Sequence, residues 1–152
     1  MADRRSIAAA ILLGGLVAGT VDIGAAALIN GKGPDFIARV IAGGLLGKAA
    51  LKGGADIVAL GVVLQWAMSI IIAAIWVGAA LRMPALLRRW LPLGLAFGVP
   101  VFVVMEFAVL PLSAWGRMPA INLGLAENLL AMLVFGAIIA GIARWRLGPG
   151  EG

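Results

Sequence analysis

The sequence predicts an all-α fold, an integral membrane four-helix bundle with an extra interfacial or re-entrant helix between spans 1 and 2. Hydrophobic residues make up 63% of the 152-residue chain and charged residues only 12%, whereas about a quarter of the residues in ordinary soluble domains are charged. The mean hydropathy is +1.11. Such a chain has too few polar side chains to cover a surface that faces water, so we expect lipid to be its solvent.

Four apolar runs are long enough to cross the hydrocarbon core of a bilayer, which takes about 20 helical residues. They predict spans over residues 6–29, 57–81, 91–113 and 124–142 of a single transmembrane domain, residues 1–152. The first run exceeds the apolar core of a signal peptide, so we interpret it as a membrane helix. Pro100 lies inside the third run and is expected to kink it, because proline removes a backbone donor.

Residues 35–51 carry a different pattern, in which apolar residues alternate with Arg39 and Lys48. This pattern predicts an amphipathic helix that begins after Pro34, a residue that suits the first turn of a helix. The charges argue against a full span. The helix is therefore expected to lie in the membrane interface or to dip partway into the bundle.

The distribution of Lys and Arg predicts the orientation of the chain. Seven of the 12 basic residues belong to the N-terminus, the loop near residues 82–90 and the C-terminus: Arg4, Arg5, Arg82, Arg88, Arg89, Arg144 and Arg146. Basic residues close to helix ends favour the cytoplasmic side. We therefore expect a multi-pass protein of a bacterial inner membrane with both termini in the cytoplasm.

Composition also limits the chemistry and the partners. The chain has no Cys, His or Tyr, which removes thiol and imidazole chemistry and the usual zinc ligands. We expect no catalytic residues, no metal site, no cofactor and no enzyme activity. No basic stripe forms on a soluble element, so nucleic acid is not an expected partner. The expected partners are the lipid bilayer and either further copies of the chain or a larger membrane complex.

Polar side chains inside the apolar runs are the candidate functional residues, because each is costly in hydrocarbon. Counted from the helix ends, all of them fall in the half of the membrane away from the termini. If the spans alternate in direction, four helices bring polar groups to one level. The sequence therefore predicts one intramembrane polar site formed by Asp22, Gln65, Glu106, Glu127 and Asn128.

The sequence leaves two interpretations of this site. Carboxylates that lie close together repel one another in a low dielectric, so each is expected to pair with a basic residue such as Arg117, or to hold a proton or a cation. In the structural interpretation, Asp22 bonds Gln65 and fixes helix packing, while Glu127 is solvated at a helix N-terminus.

Glycines spaced four residues apart predict close contacts between helices, because they let two backbones approach each other. Three such pairs stand out: Gly15 and Gly19, Gly43 and Gly47, and Gly94 and Gly98.

Three short segments resemble an uncharacterised family of small bacterial four-span proteins, similar in layout to the YagU-like inner-membrane proteins. They are Ala18-Gly19-Thr20-Val21-Asp22-Ile23, Ala42-Gly43-Gly44-Leu45-Leu46-Gly47 and Val109-Leu110-Pro111-Leu112-Ser113. The resemblance implies the four-span layout but no settled activity. Relatives often have His where Gln65 stands and Asn where Glu106 stands, so the resemblance makes Glu106 a distinctive acid of this chain.

Two hypotheses about function follow from the sequence. The first is proton or cation handling through the intramembrane acidic cluster. The second is a structural or accessory subunit of a larger membrane protein complex, which small size and the lack of a soluble domain favour. Four spans without an internal repeat argue against an alternating-access transporter, which usually has two repeated halves.

Overall fold

The computed structural model describes residues 3–148. The sequence predicts a disordered tail at Gly148-Pro149-Gly150, and its last two residues lie outside the described part. The helices are α1 (Arg4–Asn30), α2 (Pro34–Leu46), α3 (Ala55–Arg82), α4 (Ala85–Arg88), α5 (Trp90–Leu112) and α6 (Leu123–Leu147). A 3₁₀ helix, Gly47–Lys52, follows α2. Residues 3–148 contain no strand, and the all-α prediction is confirmed.

Four of these helices, α1, α3, α5 and α6, are long and apolar enough to cross a membrane. The chain is a multi-pass membrane protein with a four-helix arrangement, as predicted. Each long helix begins within two residues of its predicted start. The last one ends at Leu147 rather than at residue 142, because nothing in the sequence stops the helix before Gly148.

The N-terminal end of α1 and the C-terminal end of α6 lie at the same end of the bundle. The Asp3 side chain caps α1 by accepting a hydrogen bond of 2.7 Å from the Ser6 amide. This bond holds the pKa of Asp3 below its usual value, and the positive charge of Arg146 near the end of α6 adds to the effect. Gly14 of α1 lies against Ile139 of α6, while Leu28 and Glu127 line one groove, so the two helices are antiparallel and the start of α1 lies near the end of α6.

The four long helices pack in the order α3, α1, α6, α5. Glycines allow the close contacts. A Cβ atom on Gly15 would lie 2.5 Å from the Ile70 Cα atom of α3, and one on Gly98 would lie 2.7 Å from the Leu133 Cα atom of α6. Gly19 likewise faces α3, and Gly94 faces α6.

The helices α3 and α5, at the two ends of this order, do not pack closely along their lengths. Their side chains meet near the α3–α5 loop, where the ring centroids of Trp76 and Phe97 are 5.1 Å apart. The bundle is therefore closed at the end that carries the termini and open between α3 and α5 in its other half.

Helix α2 folds back onto the bundle. Its buried residue Ile37 packs with Ile23 and Ala27 of α1, and its Ala38 backbone lies directly against Gly61 of α3. The sequence did not single out Gly61, although this contact leaves no room for a side chain there. The helix thus covers the end of α1 and the beginning of α3.

The predicted helix over residues 35–51 is two elements. Gly47 ends α2 with a φ of +78°, a backbone angle that other residues rarely adopt. Gly47 was predicted to pack against another helix, but no atom lies within 4 Å of the position its Cβ would take. Its partner in that pair, Gly43, does make a close contact, with the indole of Trp115.

A single arginine ties α2 to the connection that follows it. Arg39 donates to Asp35 over 2.7 Å and, through Nε, to the carbonyl oxygen of Gly53 over 2.9 Å. The hydrogen bond from Arg39 holds the pKa of the Asp35 carboxyl below its usual value. This arrangement fixes where α2 ends relative to the start of α3.

We predict that Gly98→Val destabilises the protein by about 1–3 kcal/mol, because the added side chain overpacks the contact between α5 and α6. The matched control is Gly24→Val, since the space in front of Gly24 is empty and valine is a slightly better helix former than glycine. Unfolding of both variants in a graded SDS titration measures the difference. Equal stability of the two would contradict this packing.

Candidate functional site

A cavity of about 550 Å³ lies in the open half of the bundle, away from the termini. This volume is in the range of small-molecule sites. All four long helices and α2 contribute to its wall, which is apolar apart from a few side chains. The polar side chains that line it are Asp22, Gln65, Ser69, Glu106, Ser113 and Asn128.

The first polar pair joins α1 and α3. Gln65, only 6% exposed, donates from Nε2 to the carbonyl oxygen of Gly19 over 3.2 Å and to the Asp22 carboxylate over 2.9 Å. The Gly19 oxygen is an obligate acceptor, so it fixes which end of the Gln65 amide faces α1. The Gln65 carbonyl oxygen is then left without a donor among residues 3–148.

The second polar pair joins α5 and α6, where the Asn128 amide donates to the Glu106 carboxylate. Asp22 and Glu106 are both partly buried. The structure therefore brings four of the five predicted site residues to one cavity as two amide–carboxylate pairs. The hydrogen bond between Asp22 and Gln65 is the contact that the structural interpretation expected.

Glu106 lies in an irregular turn of α5. Residues Met105–Val109 form a π-helical turn, in which the Leu110 amide donates to the Met105 carbonyl five residues back. Pro111 follows and has no amide hydrogen to continue the regular pattern. Such turns occur often at functional sites. Pro100, where the sequence predicts a kink, also lies inside α5, and the sequence did not single out Pro111.

Glu127 does not join the other four residues. Successive residues of an α-helix differ in direction by about 100°, so Glu127 and Asn128 face different sides of α6. Glu127 borders a second groove, of about 280 Å³, between α1 and α6, and Asp22 lines both this groove and the cavity. The cavity itself therefore holds two of the three expected carboxylates, Asp22 and Glu106, and Glu127 lies outside it.

No Lys or Arg side chain is among the residues that line the cavity. The sequence allowed Arg117 or a basic residue of α2 to neutralise a carboxylate. Arg117 lies 5.9 Å from the ring centre of Trp115, outside the cavity wall, and its positive charge acts on Glu106 from there without forming an ion pair. Within the described part of the chain, the one ion pair closer than 4 Å is that of Arg39 with Asp35.

Trp115 and α2 cover the cavity. The indole of Trp115 donates to the Val40 carbonyl over 3.0 Å, and the Ala114 amide donates to the Gly44 carbonyl over 2.8 Å. The sequence did not single out Trp115. The adjacent glycines Gly43 and Gly44 were the available signal, because they make room for the connection after α5.

The arrangement offers oxygen ligands but no dense metal-binding group. Across residues 3–148, no three His, Cys, Asp or Glu side chains come together in a way that could hold a metal ion. The cavity combines two carboxylates, two amides and hydroxyl groups with an apolar wall. Chemically, it can hold a proton or bind a cationic group by hydrogen bonds.

Comparisons of this sequence with protein-family models, with curated proteins and with solved structures find no match. The resemblance to the YagU-like proteins therefore stays a prediction.

We predict that each amide–carboxylate pair stabilises the fold by a measurable coupling energy. Double-mutant cycles with alanine at Asp22 and Gln65, and at Glu106 and Asn128, should each give about 0.6 kcal/mol and at most about 1.7 kcal/mol, the range measured for hydrogen bonds between membrane helices. The control cycle pairs Gln65 with Glu127, which face different cavities and should not couple. SDS unfolding is the measurement, and coupling equal to that of the control would contradict the pairing.

Proposed function

We propose that the protein binds and handles a proton or a cation through the Asp22 and Glu106 carboxylates of its central cavity. One observation carries this proposal. Two carboxylates, from α1 and α5, line the same cavity, while no Lys or Arg side chain lines it.

Electrostatics supports the proposal. A carboxylate removed from water is costly unless a positive charge or a proton compensates it. The amides of Gln65 and Asn128 donate to the carboxylates but carry no charge. Arg117, outside the wall, acts on Glu106, but neither carboxylate has an ion-pair partner within residues 3–148. A proton or a cation in the cavity would therefore complete its charge balance.

The proposed setting is a bacterial inner membrane, with both termini in the cytoplasm. The excess of arginines at the termini and in the α3–α5 loop supports this orientation. Packing supports termini on one side, since Gly14 of α1 lies against Ile139 of α6 while Leu28 and Glu127 line one groove, which makes the two helices antiparallel. In this orientation the cavity lies in the half of the membrane away from the cytoplasm.

Proteoliposomes test the proposal. The protein is reconstituted with a pH-sensitive dye inside the vesicles, and the decay of an imposed pH gradient is followed in sodium, potassium and choline salts. We expect decay faster than in protein-free vesicles, and a loss of most of the excess rate in Asp22→Asn and Glu106→Gln, which remove the charge with little change of shape.

The matched control is Glu127→Gln, which alters a carboxylate of the same helix bundle outside the cavity. Its rate should equal that of the parent. A parent rate no faster than that of empty vesicles in every salt would overturn the proposal, as would equal losses in all three variants.

A second candidate function is an accessory subunit of a larger membrane complex. Two glycines inside long helices, Gly24 of α1 and Gly78 of α3, have open space in front of them. Glycine costs about 1 kcal/mol relative to alanine inside a helix, and within the described residues neither glycine has a packing contact that requires it. Surfaces of this kind suit a further helix.

For an accessory subunit, we predict that native mass spectrometry of the protein extracted gently from its own membrane shows a heteromeric mass. A heteromeric mass that Gly24→Leu and Gly78→Leu abolish would support it. Ala85→Leu serves as the control, because Ala85 is exposed and lies in α4, outside both of these helices. A monomer or homo-oligomer with no other protein bound would contradict it.

A further inference from the structure

We infer that the cavity binds a single-chain organic ammonium ion, with its charged group between Asp22 and Glu106 and its apolar tail in a groove between α3 and α5. The inference rests on the proposed function, because it assigns a chemical class to the cation that the two carboxylates hold.

The groove has a volume of about 310 Å³ and is lined by apolar side chains alone. From α3 these include Ile71 and Ile75, and from α5 they include Val104. The groove and the cavity adjoin, since four residues line both: Met68, Ile72, Val101 and Met105. A molecule with a polar head and an apolar chain would therefore find a continuous site.

The opening between α3 and α5 follows from the way the helices pack. The small residues of α5, Gly94 and Gly98, face α6, and those of α1, Gly15 and Gly19, face α3. No such contact joins α3 to α5 within residues 3–148, and only bulky side chains such as Trp76 and Phe97 bridge them. The apolar groove consequently faces the lipid, from which an amphiphile would arrive sideways.

The polar end of the cavity calls for a ligand that donates hydrogen bonds. Gln65 is only 6% exposed, and its carbonyl oxygen has no donor among the described residues. The neighbouring Ser69, only 2% exposed, also lines the cavity and adds a hydroxyl group to its polar end. An ammonium group has three donors and no acceptor, which suits two carboxylates and an amide oxygen.

The same chemistry argues against a phospholipid. A phosphate group would need a basic partner, and no Lys or Arg lines the cavity. The two carboxylates would repel it. An inorganic cation would satisfy the carboxylates but would make no use of the adjoining groove. A protonated alkylamine fits both parts.

Dodecylammonium is the probe, because alkylamines, like lysine, stay protonated well above neutral pH. The full-length protein is placed in nanodiscs of zwitterionic phosphatidylcholine and titrated calorimetrically, with protein-free nanodiscs as the blank. Dodecanol, which has the same tail without the charge, is the comparison. We expect one bound dodecylammonium per chain, held at least tenfold more tightly than dodecanol, since charged hydrogen bonds contribute more than neutral ones.

Variants separate the two parts of the site. Asp22→Asn and Glu106→Gln should weaken dodecylammonium binding about tenfold, and Glu127→Gln should leave it unchanged. Ile72→Trp places a large ring where cavity and groove meet and should also weaken binding about tenfold. Val101→Phe tests the same junction from α5, and Val134→Trp, in the groove between α1 and α6, is the size-matched control. Thermal unfolding of each variant is measured to check that it is folded.

The outcomes distinguish this inference from the proposed function. Flux that depends on Asp22 and Glu106 without any dodecylammonium binding would overturn the inference and leave the proposed function intact. Equal affinities for dodecylammonium and dodecanol would overturn it as well, as would unchanged affinity in both Ile72→Trp and Val101→Phe. Dodecylammonium binding that needs both carboxylates and the open junction between cavity and groove, in a protein without flux, would support the inference and overturn the proposed function.

Discussion

Gln65 satisfies the N–H donors of its side-chain amide by turning toward α1, and much of the structure depends on this contact. In a helix surrounded by hydrocarbon, an unsatisfied amide costs several kcal/mol. Its two acceptors, the Gly19 carbonyl and the Asp22 carboxylate, lie on one face of α1. Gly19 has no side chain, so α3 approaches closely enough for the bond to form. The same contact holds the Asp22 carboxylate at the wall of the cavity.

The packing order of the helices brings these local contacts together around one cavity. Because α1 and α6 form the centre of the order and α3 and α5 its ends, the bundle has one open side. Glu106 reaches the cavity from that open side, through the π-helical turn before Pro111. Trp115 then fixes α2 over the cavity by its bond to Val40. The result is a polar pocket within an apolar bundle, covered by α2 and bordered by a groove toward lipid.

Much of the fold could be predicted from the sequence, because four apolar runs of sufficient length leave few alternatives in a membrane. The depth of the polar residues was also predictable, since the rise per residue of a helix is fixed. Direction around the helix axis was not, because uniformly apolar helices carry no strong pattern to indicate which side faces inward. Glu127 was therefore grouped with Asn128, although only Asn128 faces the cavity. Gly47 was taken as a packing glycine because spacing alone does not reveal a positive φ.

Gln65 is the only glutamine of the chain, which makes the central contact directly measurable. Solid-state NMR of the protein in lipid bilayers, with the glutamine side-chain amide labelled with ¹⁵N and the aspartate carboxyl groups with ¹³C, reports the distance between the two by dipolar dephasing. The account predicts strong dephasing by one of the four aspartates and its loss in Asp22→Asn, whose side chain would not carry the label. No dephasing in the parent would mean that Gln65 faces elsewhere, and that the Asp22–Gln65 pair at the wall of the cavity does not form in the membrane.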